Sequence, residues 1–257
     1  MRRILLLSIA ALIVFVLTFI MFLPAVFITP HAEEKSSERY TLADVHGTVW
    51  EGSAIVVSKP DKNGNQLPLV PGRFFWHISP MLLLGQVSLK IDNTETLTEP
   101  ITIVGSWYQW HINPSSMRLN AEQLSLLGAP FNTLRLSGDV LMSWQELQVN
   151  LQAKQINIIG LIQIDFKKIA SALSPIKPLG EYQLTMEWLS QQAKINLNTL
   201  AGPLQLHGKG IFQQGRLQFS GVAYADAGKE KQLSLLLNLL GRPLADGNEN
   251  HIALEFK

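Results

Sequence analysis

The chain has 257 residues, with 21 Lys and Arg against 20 Asp and Glu, and no Cys. A formal net charge of +1 removes any general electrostatic case for nucleic acid or for a strongly acidic substrate. The missing cysteines exclude a disulfide framework, a thiolate zinc site, an iron–sulfur cluster and a cysteine nucleophile. Charged residues make up only 16% and hydrophobic ones 47%, where a globular chain carries about 25% charged residues.

Part of that imbalance is local. Residues 4–23, ILLLSIAALIVFVLTFIMFL, have Ser8 and Thr18 as their only polar members. At about 1.5 Å rise per residue they match the roughly 30 Å of a bilayer's hydrocarbon core, and Pro24 ends or kinks the segment. The expectation is a single transmembrane anchor within residues 1–28. A cleaved signal peptide is the alternative, since Arg2 and Arg3 make a basic start. The run is longer than the usual 7–15 apolar residues of such a peptide, and Pro30-His31-Ala32 is a poor cleavage site. Twin-arginine export is disfavoured, because the pair lacks polar surroundings. Arg2 and Arg3 are the only charges before residue 31, so the positive-inside rule keeps the start cytoplasmic. The remainder is then outside, in the periplasm of a Gram-negative inner membrane. That remainder carries 19 basic and 20 acidic residues (21 less the two arginines, against 20), which does not make a polybasic lipid-surface binder.

Residues 29–40 include HAEEKSSER and read as a short polar stalk, with Glu33 and Glu34 simply solvated. From residue 41 to 257 the dominant period is two. Val87, Leu89 and Ile91 alternate with Ser88 and Lys90, and Leu147, Val149 and Leu151 with Gln148 and Asn150. Tyr182, Leu184, Met186 and Trp188 alternate with Gln183, Thr185 and Glu187. Leu204 with Leu206, Leu217 with Phe219, and Ile252 with Leu254 and Phe256 repeat the pattern. Each run puts apolar side chains on one face and polar ones on the other. Turn chemistry separates them at Asp61-Lys62-Asn63-Gly64-Asn65, Gly128-Ala129-Pro130, Ala201-Gly202-Pro203 and Ala227-Gly228. Helical spacing is rare: residues 166–173 could make two turns before Pro175. Residues 232–240 read either as a short helix stopped by Gly241 or as a buried strand. The expected fold is mainly β and mostly antiparallel, its sheet either closed over a core or open and groove-like, with a soft division near residues 128–131 or 175–180. Two hairpin-like stretches, 131–151 and 203–222, share a rhythm without a fixed repeat.

The search for chemistry is nearly empty. The histidines His31, His46, His77, His111, His207 and His251 show no HxH or HExxH spacing. Asp44 and His46 would share a strand face as half a metal site, though such pairs are common by chance. No G-x-S-x-G elbow occurs. Gly208, Gly210 and Gly215 continue wrongly for a dinucleotide fingerprint, and Gly228-Lys229-Glu230 is no phosphate loop; turns and close-packed strands account for these glycines. No catalytic, cofactor or metal residues are assigned, and no binding residues can be named. Aromatics stand out instead: Trp50 between small residues, then Phe74, Phe75 and Trp76, then Trp107, Trp110 and Trp144. Trp50 and Trp76 are expected to be aromatics of a core or of an apolar groove.

In order along the chain, four features resemble the type II secretion system protein N family, also called general secretion pathway protein N. They are a basic start with one apolar helix, Gly47-Thr48-Val49-Trp50 with Gly52, and Trp76-x-Ile78-x-Pro80 leading to Leu83-Leu84-x-Gln86. The fourth is Leu239-Leu240-Gly241-Arg242 before a final strand. His77 departs from the basic or polar residue expected there. The resemblance implies a non-enzymatic inner-membrane accessory of the machine that moves folded periplasmic proteins across the outer membrane. It brings no cofactor, and its implied partners are other secretion components. Sheet edges would be natural docking places. More distantly, the GTVW segment and repeated strands resemble AsmA-like envelope proteins, whose β grooves are thought to handle lipids. An excess of apolar inward residues over apolar surface to cover them would favour that second reading. A third, an envelope hydrolase, needs a convergent polar cluster.

Overall fold

The computed structural model describes residues 2–30, 40–58, 66–127, 131–152, 155–244 and 251–256. The stalk at 31–39, with His31, Glu33 and Glu34, lies outside the described residues, as do the turns at 61–65 and 128–130. Among the described residues, sixteen strands join in one sheet that is antiparallel at every pairing. β1 (Tyr40–Gly47), β2 (Glu51–Ser58), β3 (Phe74–Ile78), β4 (Gln86–Asp92) and β5 (Ile101–Ser106) follow one another as neighbours. β6 (Gln109–Ile112) and β7 (Ser115–Asn120) are two halves of one line interrupted at Asn113-Pro114. Pro114 has no N–H for the ladder. The Asn113 side chain fills the gap, accepting from the Thr102 N–H at 2.5 Å and donating to the Pro100 carbonyl at 3.1 Å.

β8 (Leu136–Trp144) and β9 (Leu147–Gln152) form the next interrupted line, and β10 (Gln155–Ser171) spans both of them. Then come β11 (Gly180–Ser190), β12 (Gln192–Ala201), β13 (Leu204–Gln213) and β14 (Arg216–Ala225). β16 (His251–Phe256) pairs with β14, and the two-residue β15 (Arg242–Pro243) pairs with β16.

The mainly β, antiparallel expectation holds, and the register turns the sequence alternation into two faces. Trp76 stands opposite Ile91, Leu89 opposite Ile103, and Ile103 opposite Ile112. Farther along, Ile164 meets Leu184, which meets Leu197. Apolar side chains thus cover one face from β1 to β16. The other face carries Lys90, Thr102, His111, Gln163, Asn196 and Lys209.

One helical expectation fails. Residues 166–173 are not two helical turns: β10 continues to Ser171. A bulge separates Phe166 from Ile169, with Lys168 at φ 50°. The bulge inserts residues into the alternation, so Phe166 and Ile169 both reach the apolar face at a spacing that mimics a helix. Residues 232–240 do form a helix, within Glu230–Leu240. Leu233, Leu236 and Leu237 are buried along one side of it, while Leu235 and Leu239 are exposed. The Glu230 carboxyl accepts from the Gly228 N–H at 3.1 Å. Backbone hydrogen bonds from Glu230 and Gly228 hold that carboxyl below the usual glutamate range.

That helix is α3; α1 is Arg2–Met21 and α2 is the short Phe131–Leu134. α3 packs its leucines on Ala223, Phe219, Ile252 and Leu254, and Leu134 of α2 joins the same cluster. A neighbouring cluster sets Ala121, from a 3₁₀ turn at Ala121–Leu127, on Val140, Ile169 and Tyr182. Both clusters lie in the later strands, toward the sheet end remote from α1. Burying each α3 leucine is worth about 1.5–3 kcal/mol, so this cap is a principal source of tertiary stability.

The chain exposes 16407 Å², against about 11,300 Å² for a compact monomer of its mass. Two contributors are visible. α1 stands clear of the sheet, its side chains from Leu6 to Phe19 exposed. The apolar face of the early strands has no covering layer among the described residues. The bilayer-spanning anchor expected at residues 4–23 is not established by this structure. α1 is helical over Arg2–Met21. Among the described residues no helix is long and apolar enough to cross a membrane.

Candidate functional site

The three early sequence motifs and the end of α1 converge at one end of the sheet. The chain leaves α1 through Leu23 and Pro24 into a 3₁₀ turn at Ala25–Ile28, with Ala25 buried. There the Val49 N–H donates to the Leu23 carbonyl at 2.9 Å, and Pro24 bridges to Thr48. The Trp50 indole N–H reaches back into α1, to the Ile20 carbonyl at 2.8 Å. The Trp76 indole donates to the Val49 carbonyl at 3.1 Å, and the Ile78 N–H to the Trp50 carbonyl at 2.6 Å. Tight chemistry at Gly47-Thr48-Val49-Trp50-x-Gly52 makes this joint possible. Gly47 sits at φ 87°, a left-handed turn position that glycine favours. A Cβ on Gly52 would stand 2.5 Å from Cζ2 of Trp76 and 2.6 Å from the His46 carbonyl.

The next turns on the same end carry apolar side chains into the open. Between β3 and β4 a 3₁₀ turn at Pro80–Leu84, capped by the Ser79 hydroxyl, exposes Met81, Leu83 and Leu84, the last at 78%. Between β5 and β6, Trp107 and Tyr108 are exposed at 51% and 66%. The Trp107 indole donates to the Leu82 carbonyl at 2.7 Å and its ring lies over Gly85, so the two turns form one unit. No charged residue occurs at 78–89 or 100–117. The opposite end of these strands carries Arg73, Asp92, Glu95 and Glu99.

From this joint a cleft of about 290 Å³ runs over the apolar face, lined by Leu42 of β1, Ala54 of β2, Phe74, Trp76 and Ile78 of β3, and Leu89 and Ile91 of β4. Every lining residue is apolar. Trp76 therefore belongs to a groove wall, and Trp50 to the joint with α1. No tryptophan belongs to either buried cluster, so the rings do not fill a closed core. Trp144 donates to the Asn113 carbonyl at 2.9 Å. Trp110 and Trp188, on the apolar face, bury their indole N–H without an acceptor among the described residues, which costs about 1–3 kcal/mol each.

The polar face holds larger clefts, among them one of about 450 Å³ bordered by Glu95, Arg118, Asp139 and Lys167. One of about 660 Å³ is bordered by Lys209, Arg216, Gln218 and Glu255, and one of about 540 Å³ by Asn196, Asn198 and His207. Tyr224 lies between the rings of His207 and His251, at 6.1 and 5.0 Å. His111 pairs with Glu146 at 3.0 Å and His77 stands 4.0 Å from Glu51. The Asp44 carboxylate is held by Arg73, and His46 Nδ1 lies 2.9 Å from the Asp44 carbonyl and 3.5 Å from its carboxylate. The expected strand face is interrupted there by a bulge, with Asp44 at φ 50°. Among the described residues no group of three or more His, Cys, Asp or Glu could hold a metal ion.

A single antiparallel sheet with one apolar face, partly capped at one end and open at the other, defines the structural class. Comparison narrows the class: the family described as type II secretion system (T2SS), protein N, matches residues 38–249. The chain belongs to that family and is a component of type II secretion. No curated protein and no solved structure matches it.

Proposed function

We propose that this chain is a non-catalytic accessory of the type II secretion machine, held in the inner membrane by α1. In this reading residues 1–28 form the anchor with a cytoplasmic start, 29–40 a stalk and 41–257 a periplasmic sheet domain. The carrying observation is α1 itself, whose described apolar side chains are exposed all round the helix. A helix apolar on every face needs an apolar surrounding. Family membership supplies the machine, and the sheet's edges and polar face offer surfaces for its other components. The AsmA-like alternative, a lipid-handling sheet, is compatible with this role. Its support is the excess of apolar face over covering elements in the early strands.

Photo-crosslinking in living cells tests the proposal, with the reactive group placed at single positions on the polar face and along β1. Protein adducts with secretion components support the accessory role and locate its docking surface. Adducts with lipid alone, together with unimpaired secretion when the gene is deleted, refute it.

A further inference from the structure

We propose that the apolar cleft of β1–β4 is an acyl-chain site, filled from the α1 end by one chain of a phospholipid of the adjoining bilayer. The inference rests on the anchored reading of α1. Three independent features point to this occupant. First, the cleft wall is formed by Leu42, Ala54, Phe74, Trp76, Ile78, Leu89 and Ile91, with no polar side chain among them. A bound peptide in extended form would bring backbone N–H and C=O groups with no side chain there to satisfy them. A methylene chain carries no polar atom.

Second, the cleft ends beside the membrane helix. Its wall residue Trp76 is bonded to Val49, and Val49 to Leu23 just beyond α1. With α1 in a bilayer, this end of the sheet stands at the membrane surface.

Third, that same end is built to rest in an interface. Leu83, Leu84, Trp107 and Tyr108 are exposed on turns without a charge. Trp and Tyr concentrate at the boundary between headgroups and hydrocarbon. α2, α3 and the 3₁₀ turn at Ala121–Leu127 cap the apolar face only toward the remote end of the later strands, so they do not obstruct entry.

The test uses the full chain in nanodiscs of phosphatidylethanolamine and phosphatidylglycerol containing a phospholipid with a diazirine near one acyl terminus. After irradiation, adducts are mapped by peptide mass analysis. The proposal expects adducts on β3 and on Leu89 or Ile91, in addition to those on α1. Leu89→Trp, which fills the cleft and keeps it apolar, should abolish the cleft adducts and leave the α1 adducts unchanged. Ser88→Arg, on the opposite face, should change neither. Adducts confined to α1 would overturn the acyl site while leaving the anchor standing. Absence of adducts on α1 would overturn the anchored reading and the site with it. Cleft adducts that survive Leu89→Trp would mark nonspecific labelling and also overturn the site.

Discussion

If the early half of the apolar face is open, truncating it should cost far less than truncating the capped half. Leu233 of α3 is 0% exposed and packs within a cluster that includes Leu236, Leu237, Ile252 and Leu254. Leu233→Ala removes three carbons, about 2.4 kcal/mol at 0.8 kcal/mol each, and the enclosed cavity brings the total to about 3–5 kcal/mol. Leu89 of β4 points from the same face and lies opposite Ile78 and Ile103. It is only half-buried and borders an existing cleft. No cavity is enclosed and part of the side chain is already wet, so Leu89→Ala should cost about 1 kcal/mol. Urea unfolding of the full chain in detergent, followed by near-ultraviolet circular dichroism, measures both. An unchanged slope with a shifted midpoint reports stability alone. Equal losses at Leu89 and Leu233 would refute the open face, because Leu89 would then have to be enclosed by a second layer.

Two further outcomes follow from single contacts. Gly52→Val places branched carbons against Trp76 and the His46 carbonyl, at 2.5 and 2.6 Å from the new Cβ. It should lower stability by at least about 2 kcal/mol, and a melting temperature within a degree of the parent would show that the joint with Trp76 is looser than described. Tyr182 is buried, its hydroxyl donates to the Leu204 carbonyl at 3.1 Å, and burial pushes its phenol above the ordinary range. The neutral form is favoured in the fold, so its contribution is complete below about pH 10 and is lost as pH rises through the higher folded value. Stability measured from pH 8 to 12 should decline above about 10 in the parent and less steeply in Tyr182→Phe; parallel declines would remove Tyr182 as the cause.

The two faces were legible in the sequence because period two survives in nearly every strand. Val87, Leu89 and Ile91, or Tyr182, Leu184 and Met186, needed no partner to reveal their side. The misreading of residues 166–173 has a specific origin. The bulge at Lys167 and Lys168 shifts the alternation, and a shifted strand resembles a helix over two turns. Neither interrupted line, at Asn113-Pro114 or at Gln145-Glu146, could be seen as one strand without knowing that β10 runs past both β8 and β9, which in turn pair with β7 and β6. The aromatic motifs were visible, but their meeting at the end of α1 depends on which turns share an end of the sheet. A signal was present: segments 78–89 and 100–117 lack charge. Its meaning required the register, which puts both turns at the sheet end that carries Val49 and Trp50.

An open apolar face invites one rival to the lipid site, a second copy of this chain. Two sheets packed face to face would lie about 10 Å apart with interdigitated side chains. A twofold axis along α1 would keep both helices in one membrane, so geometry alone does not decide against it. Energetics does distinguish the two. A partner sheet would enclose Leu89, Ile91 and Phe74 as fully as α3 encloses Ile252 and Leu254, and Leu89→Ala would then approach the 3–5 kcal/mol of Leu233→Ala. Stability would also rise with protein concentration, as it must when a partner binds only the folded state. A single acyl chain covers part of one cleft and makes stability depend on phospholipid instead. Unfolding the parent and Leu89→Ala at two protein concentrations, each with and without added phospholipid, therefore separates the rivals. Dependence on protein concentration supports the second copy; dependence on phospholipid that disappears in Leu89→Trp supports the acyl chain.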